Sequence, residues 1–231
     1  MHNLAVIPAR GGSKRVPRKN IRDFLGKPLL AYSIKAAADS GLFDRVIVST
    51  DDEEIAEVAR KYGAFTPFMR DKALADDYTG TEKVTADAFR RMTDLGFVAD
   101  TIACIYATAP LLTGTWLQKA FKIYQQEHAD YLYACCEFPF PIQRAQYLDE
   151  HFTPTPVMPE CMPMRSQDLP KTYQDAGMFY FFSRRKMEQQ NVPLILRGFP
   201  MPRYRVIDID TEEDFAYAQA MTKAVTELGF E

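Results

Sequence analysis

Histidine and cysteine are scarce in this chain, with three and four residues in 231, and neither set is spaced to hold a metal. His2, His128 and His151 form no H-E-x-x-H pair, and Cys104, Cys135, Cys136 and Cys161 contain no C-x-x-C, which argues against structural zinc. No apolar run approaches the roughly eighteen residues that would span a bilayer, and no charged-then-apolar leader opens the chain. A membrane partner is therefore not expected, and reduced thiols in the cytoplasm are the default location. A strong positive charge is missing too: the net charge is −3, so nucleic acid is not an expected partner of the protein as a whole. Both common phosphate-loop spacings, G-x-x-x-x-G-K-S/T and G-x-G-x-x-G, are absent.

What is present begins at once. The apolar run Leu4 to Ile7 leads directly into Pro-Ala-Arg-Gly-Gly-Ser-Lys-Arg-Val-Pro-Arg-Lys-Asn20. Five cationic side chains fall between Arg10 and Lys19, and Gly11-Gly12 allows the backbone to approach a ligand without a Cβ in the way. Arg supplies forked donors and Lys a compact charge, which suits a nucleoside triphosphate and the charge that builds on departing pyrophosphate. Arg10 and Lys19 are the catalytic candidates of this loop, and Gly11, Ser13 and Lys14 the candidate phosphate contacts. The position at the carboxyl end of a strand is where open α/β sheets bind ligands.

With 47% hydrophobic residues the chain can bury one core over 1–231, and its elements alternate. Apolar positions at Leu29, Leu30, Ile34 and Ala37 have helical spacing and Gly41 ends that helix; Arg45 to Thr50 reads as a buried strand. Thr50-x-x-Glu53 has the form of a capping box for a helix to about Tyr62, and Asp51 and Asp52 either cap it or face a metal. A short strand is expected over Ala64–Phe68, a polar loop over Met69–Lys83, then a helix to about Met92. Thr101–Tyr106 and Tyr131–Cys135 read as strands, separated by a helix from about Thr115 with Gln118 as capping-box partner. Met178–Phe182 reads as another strand, Ser183 to about Gln190 as a short helix, and Leu194–Leu196 and Tyr204–Ile207 as edge strands. Thr211-x-x-Asp214 caps a last helix to about Leu228. This alternation predicts a doubly wound, mostly parallel α/β sheet.

Two further stretches carry chemistry or assembly. Asp208 and Asp210, two apart in Ile207-Asp-Ile-Asp-Thr211, share a side if the backbone is extended, so both carboxylates can hold one Mg²⁺, with Asp210 also a catalytic candidate. Residues 137–170 hold seven of the 15 prolines with little periodicity, yet Phe138, Phe140, Tyr147, Phe152, Met158, Met162 and Met164 are too apolar to leave in water.

Ala9-Arg10, Ser13-Lys14, Lys19-Asn20, Ser49-Thr-Asp-Asp52, Tyr106-Ala-Thr-Ala-Pro110 and Ile207-Asp-Ile-Asp-Thr211 together resemble the CMP-sialic acid synthetase family (acylneuraminate cytidylyltransferases) over nearly the whole chain. The resemblance implies a Rossmann-like nucleotide-diphospho-sugar transferase fold and transfer of CMP from CTP to an acidic nine-carbon sugar. It adds Ala9 and Asn20 to the nucleotide contacts, brings Arg70, Asp77, Thr79 and Thr81 to the base and ribose, and gives 137–170 the role of a dimerisation arm in a homodimer. Sialic acid enzymes carry Gln where this chain has Tyr106, which points to a different sugar, pseudaminic acid first. Tyr106, Thr108, Gln174 and Asp175 are the candidate sugar contacts. An eight-carbon 3-deoxy-manno-octulosonate enzyme is a rival within the fold, through Ile7-Pro-Ala-Arg10, Arg15, Pro17 and Thr79-Gly-Thr-Glu82, and a nucleotide- or RNA-binding module is the alternative outside enzymes. Lys19-Asn20 and the paired aspartates favour the nine-carbon reading.

Overall fold

The four apolar residues that open the chain, Leu4 to Ile7, are all fully buried on strand β1 (Asn3–Pro8), because each face of this central strand meets a helix layer. The computed structural model describes residues 2–189 and 193–230. After β1 come the two-residue strands β2 (Asp23–Phe24) and β3 (Lys27–Pro28), helix α1 (Leu29–Asp39), strand β4 (Arg45–Ser49), α2 (Glu53–Lys61), α3 (Thr81–Asp94), β5 (Thr101–Ile105), α4 (Gly114–Gln126) and β6 (Tyr131–Glu137). They are followed by the hairpin β7 (Gln146–Leu148) and β8 (Pro154–Pro156), then β9 (Tyr173–Ser183), α5 (Arg184–Glu188), β10 (Leu196–Met201) and α6 (Glu212–Leu228).

The main sheet has the order β10-β6-β9-β5-β1-β4. β1 runs parallel to β4 and β5, and β10 parallel to β6, while β9 runs antiparallel to both of its neighbours. Alternation along each strand feeds two cores: Ala5, Ile7, Ala103 and Ile105 join the cluster with α1 and α4, whereas Leu4, Val6, Ile102 and Cys104 face Ala88, Phe89 and Met92 of α3. A third cluster lies apart from these two. Val16 of the basic loop, Phe24 and Leu29 pack there with Ile209 and with Phe215 and Ala218 of α6, so one apolar plug anchors both the basic loop and the aspartate segment.

Several local expectations are corrected. Asp52, not Thr50, caps α2: its side chain accepts from the Ile55 amide at 3.1 Å, and the Thr50 hydroxyl accepts from the Asp52 amide instead. α4 starts after Thr113 without a side-chain cap, and Gln118 donates to the Ser40 carbonyl at 2.7 Å. The stretch 64–68 makes a single bridge, Phe65 to Ile47, before Pro67, which has no N–H to extend a ladder. Around Tyr204 there is a 3-10 turn (Arg203–Arg205) entered from Pro202, since the Arg205 amide bonds the Pro202 carbonyl. β10 begins where the Leu194–Leu196 strand was expected to end, and of the helix expected to reach Gln190, α5 stops at Glu188 while Gln190 lies outside the described residues. Residues 137–170 form irregular chain with three short 3-10 turns and the β7–β8 hairpin, with Phe140, Tyr147, Leu148 and Phe152 exposed.

Candidate active site

At the carboxyl end of β1 the chain leaves the sheet, and the loop that follows is built by local bonds. The Ala9 amide pairs with the Ser49 carbonyl at 3.0 Å, which keeps Ala9 buried at the strand edge, and the Asn20 amide group donates to the Arg10 carbonyl at 2.9 Å to close the loop on itself. Gly11 is needed for a reason other than ligand approach. A Cβ there would lie 2.6 Å from Asp52 Oδ2, whereas Gly12 has open space around it. Asp51 and Asp52, weighed above as helix caps or as metal-facing, are used internally: Asp51 accepts from the Gly11 amide at 3.1 Å and lies 3.5 Å from Arg70, while Asp52 caps α2 and binds Arg18 through both oxygens. The Arg18 bond, more than any other contact, holds the Asp52 carboxyl below the usual carboxylate range.

The loop faces a cleft of about 290 Å³ lined by Arg10, Ser13, Lys19 and Asn20 on one side and by Asp208 and Asp210 on another. Arg70, Asp77, Thr79 and Thr81 line a further wall, and Tyr106 and Thr108 come from the end of β5. The cleft therefore collects twelve of the candidates picked from the sequence, drawn from four distant stretches. Lys14 is not part of that lining but reaches Asp77 from outside, and Ala9 and Gly11 contribute backbone behind the wall. Gln174 and Asp175 lie on exposed backbone of β9 beside the cleft, paired across to Cys136 and Cys135.

Charge is arranged in pairs across this cleft. Lys19 Nζ donates to the Ile209 carbonyl and lies 3.6 Å from Asp210, which also takes Arg15 at 2.8 Å. Asp77 bridges Arg10 and Lys14, each at 2.7 Å, and these bonds, Lys14 first, lower its carboxyl. Arg70 is buried in this wall, with its Nε lacking a hydrogen-bond partner and its Nη2 3.5 Å from Asp51. Asp208 opens to the cleft, yet the surrounding walls desolvate it and the nearby Asp210 carboxylate repels its charge, so its carboxyl is raised.

On the β5 side a chain of hydroxyls runs from the cleft into the sheet. Thr81 Oγ1 lies 3.1 Å from the Tyr106 hydroxyl, which lies 3.3 Å from that of Tyr180; Tyr180 in turn donates to Asp175 at 2.9 Å. Burial first, then the bond to Tyr106, raises Tyr180 and keeps it protonated. Asp175 is itself oriented by the Gly177 amide at 2.8 Å, and Gly177 sits at φ 57°, a left-handed conformation that suits glycine. Sequence reading missed Tyr180 because it stands inside the apolar run Met178–Phe182, where a tyrosine reads as core. It also missed Arg15 as the partner of Asp210, since a pair so distant in sequence leaves no local signal.

A Rossmann-like sheet with a basic loop at the end of its first strand and two aspartates across a cleft defines a nucleotidyltransferase-type architecture. Residues 4–225 match the family described as cytidylyltransferase, and the chain belongs to it. It is 46% identical to the pseudaminic acid cytidylyltransferase of Campylobacter jejuni over 232 aligned positions, covering 100% of both chains. It is also 32% identical to the N-acylneuraminate cytidylyltransferase A of Danio rerio, across 94% of this chain and 50% of that protein. Among solved structures, a CMP:2-keto-3-deoxy-manno-octonic acid synthetase complexed with CTP superposes with a TM-score of 0.72 at 16% identity, covering 97% of this chain and 99% of that one. The last likeness concerns the fold alone.

Proposed function

We propose that the cleft transfers CMP from CTP to the anomeric hydroxyl of a nonulosonic acid, pseudaminic acid before its stereoisomers, with release of pyrophosphate. The sugar assignment draws on the full-length likeness to the pseudaminic acid enzyme, and Tyr106 in place of the glutamine of sialic acid enzymes agrees with it. The chemistry draws on one observation above others: the basic loop and the Asp208–Asp210 segment face each other across the same cleft.

In this reading the base and ribose lie along Arg70, Thr79 and Thr81, and the triphosphate along Arg10, Ser13, Lys14 and Lys19. The sugar lies against Tyr106 and Thr108, with Gln174 and Asp175 at the rim. Its hydroxyl oxygen forms a bond to the α-phosphorus as the bond from that phosphorus to the β-phosphate bridging oxygen breaks; the hydroxyl proton passes to solvent water and pyrophosphate carries away the electron pair. Arg10 and Lys19 neutralise the charge that builds on the departing group, and holding the reactants in line supplies much of the remaining rate.

The donor set fits Mg²⁺. Two carboxylates stand together in the cleft, and burial first, then the neighbouring Asp210 charge, raises the Asp208 carboxyl, a cost that a hard dication would offset. Asp208 and Asp210 would hold it; when bound it draws charge from phosphate oxygens. Because no third acidic or imidazole ligand joins them among the described residues, phosphate and water oxygens would complete the shell.

The proposed assembly is a homodimer clasped through residues 137–170 as an arm on a single catalytic unit. Phe140 and Phe152, each 79% exposed, and Tyr147, 70% exposed, support it, since side chains of this size are costly to leave in water. A cytoplasmic setting agrees with four free cysteines and with the absence, among the described residues, of a helix long and apolar enough to cross a membrane. Incubating the protein with CTP, Mg²⁺ and a panel of acidic sugars tests the function. Pyrophosphate release and CMP-sugar formation should be greatest with pseudaminic acid, and turnover only with the eight-carbon sugar would reject the assignment.

A further inference from the structure

The cations that reach toward a triphosphate already hold an anion supplied by the chain. Asp77 divides its two oxygens, Oδ1 to Arg10 Nη1 and Oδ2 to Lys14 Nζ, each at 2.7 Å, as a phosphate group would bridge them. Arg10 Nη1 is held a second time by the Asp76 carbonyl at 2.6 Å. The segment that delivers these oxygens keeps its own shape. Asp76 accepts from the Tyr78 and Thr79 amides at 3.0 and 2.6 Å, and Asp71 accepts from the Ala73 amide at 2.9 Å. It hangs between the buried Arg70, whose amide bonds the Thr50 carbonyl at 2.7 Å, and the start of α3, with Tyr78 94% exposed at its tip. A piece preorganised by local bonds and exposed at its tip can withdraw from Arg10 and Lys14 without unfolding anything beneath it.

We propose that Asp77 is a displaceable counter-ion of the phosphate subsite: it competes with CTP and with pyrophosphate for Arg10 and Lys14, and it retakes them as pyrophosphate leaves. This rests on the CTP-dependent reading above and assigns Asp77 a positioning role instead of the nucleoside contact expected from the sequence. The chemical logic is that of uniform binding. An interaction made equally with substrate, transition state and product lowers KM without raising kcat, and it retards product release. An internal carboxylate that occupies the same donors weakens both complexes alike and leaves Lys19, which Asp77 does not touch, in place. Arg10 is one-third exposed and Lys14 four-fifths exposed, so each pair with Asp77 is weak enough for a triphosphate to displace.

The test is calorimetric titration of pyrophosphate and of CTP, at fixed Mg²⁺, into the full chain, Asp77→Asn, Lys14→Met and the double variant, with steady-state kinetics alongside. Asp77→Asn keeps the side chain's shape and loses its charge. It should bind pyrophosphate and CTP more tightly by roughly three- to tenfold, the size expected from removing two exposed ion pairs. KM for CTP should fall together with kcat, product inhibition by pyrophosphate should strengthen, and the tightening should shrink when Lys14→Met is added. Unchanged or weaker pyrophosphate binding in Asp77→Asn overturns the proposal, as does tightening that Lys14→Met leaves intact. Weaker CTP binding with unchanged pyrophosphate binding assigns Asp77 to the nucleoside and also overturns it. Should the parent protein bind neither ligand, the CTP reading fails first and this inference falls with it, a result distinguishable from failure in the variant alone.

Discussion

Lys19 donates from its Nζ to the main-chain carbonyl of Ile209, the residue that separates Asp208 from Asp210. One lysine of the basic loop is thereby tied to the backbone of the aspartate segment, and the apolar contact of Val16 with the Ile209 cluster ties the same two stretches from below. The distance between the basic loop and the Asp208 and Asp210 carboxylates is set by this double link. It is a local geometric device with a global consequence, because the two halves of the site come from opposite ends of the chain.

Lys19→Met should therefore lose both a phosphate donor and the tie to Ile209. The expected loss in kcat/KM corresponds to about 2–4 kcal/mol, the size found for removing one preorganised donor. Lys19 is mostly buried, so the thermal midpoint should also drop, and Arg10→Ala, whose side chain is a third exposed, should lose activity with less loss of stability. Steady-state kinetics and thermal melts of the two variants check the contrast.

Asp208→Asn and Asp210→Asn should each abolish most turnover and shift the Mg²⁺ requirement upward, since each removes one negative ligand with little change of shape. Their effects on folding should differ. Asp210 is paired with Arg15 and Lys19, so its loss leaves cations unmatched, whereas Asp208 is crowded by Asp210 and its neutralisation should stabilise the metal-free protein slightly. A Mg²⁺ titration of turnover with parallel melts separates these outcomes.

The Arg18–Asp52 pair makes stability depend on acid. Asp52 has its folded-state pKa depressed, chiefly by the Arg18 bond, so its contribution is present above the unfolded carboxylate value, about 3.9, and is lost as pH falls through the lower folded value. Asp52→Asn should cost about 1–2 kcal/mol at neutral pH through the weakened pair and cap. As pH falls below about 4 the difference between variant and parent should begin to shrink, and it should vanish only below the depressed folded value. Denaturant midpoints at a series of pH values measure this directly.

Tyr106→Phe should raise KM for the sugar severalfold with little change in KM for CTP, because the hydroxyl at the head of the Thr81–Tyr106–Tyr180–Asp175 chain is removed while the ring remains. Tyr180→Phe should act in the same direction more weakly, since it loses the link to Asp175 but not the group lining the cleft. Kinetics with each substrate varied in turn decide it.

The sheet was legible in the sequence because its strands are continuous apolar runs that end at turn residues, and β1, β4 and β5 fall where the run of Leu4–Ile7, Arg45–Thr50 and Thr101–Tyr106 put them. What escaped was decided by distant partners. Thr50 and Glu53 satisfy the spacing of a capping box, but the next-door Asp52, one of the two residues also read as a cap, reaches the Ile55 amide, and its tie to Arg18 is what no local pattern encodes. Tyr204–Ile207 alternates as a strand would, yet Pro202 and the buried Arg205, which donates to the Leu111 carbonyl at 3.0 Å, bend it into a turn. In the cleft, residue types and strand ends brought most candidates together, while the pairing of Asp77 with Arg10 and Lys14 depended on how the loop folds back.

Transfer of the sugar's own oxygen is the central claim, and an isotope label tests it most directly. Pseudaminic acid carrying ¹⁸O at its anomeric hydroxyl is incubated with CTP, Mg²⁺ and the protein, and the products are weighed by mass spectrometry and observed by ³¹P NMR. Attack of that hydroxyl on the α-phosphorus predicts CMP-sugar with ¹⁸O in the bridge between phosphorus and the anomeric carbon, and pyrophosphate with none. Recovery of the label in pyrophosphate, or CMP-sugar formed without it, would contradict the account.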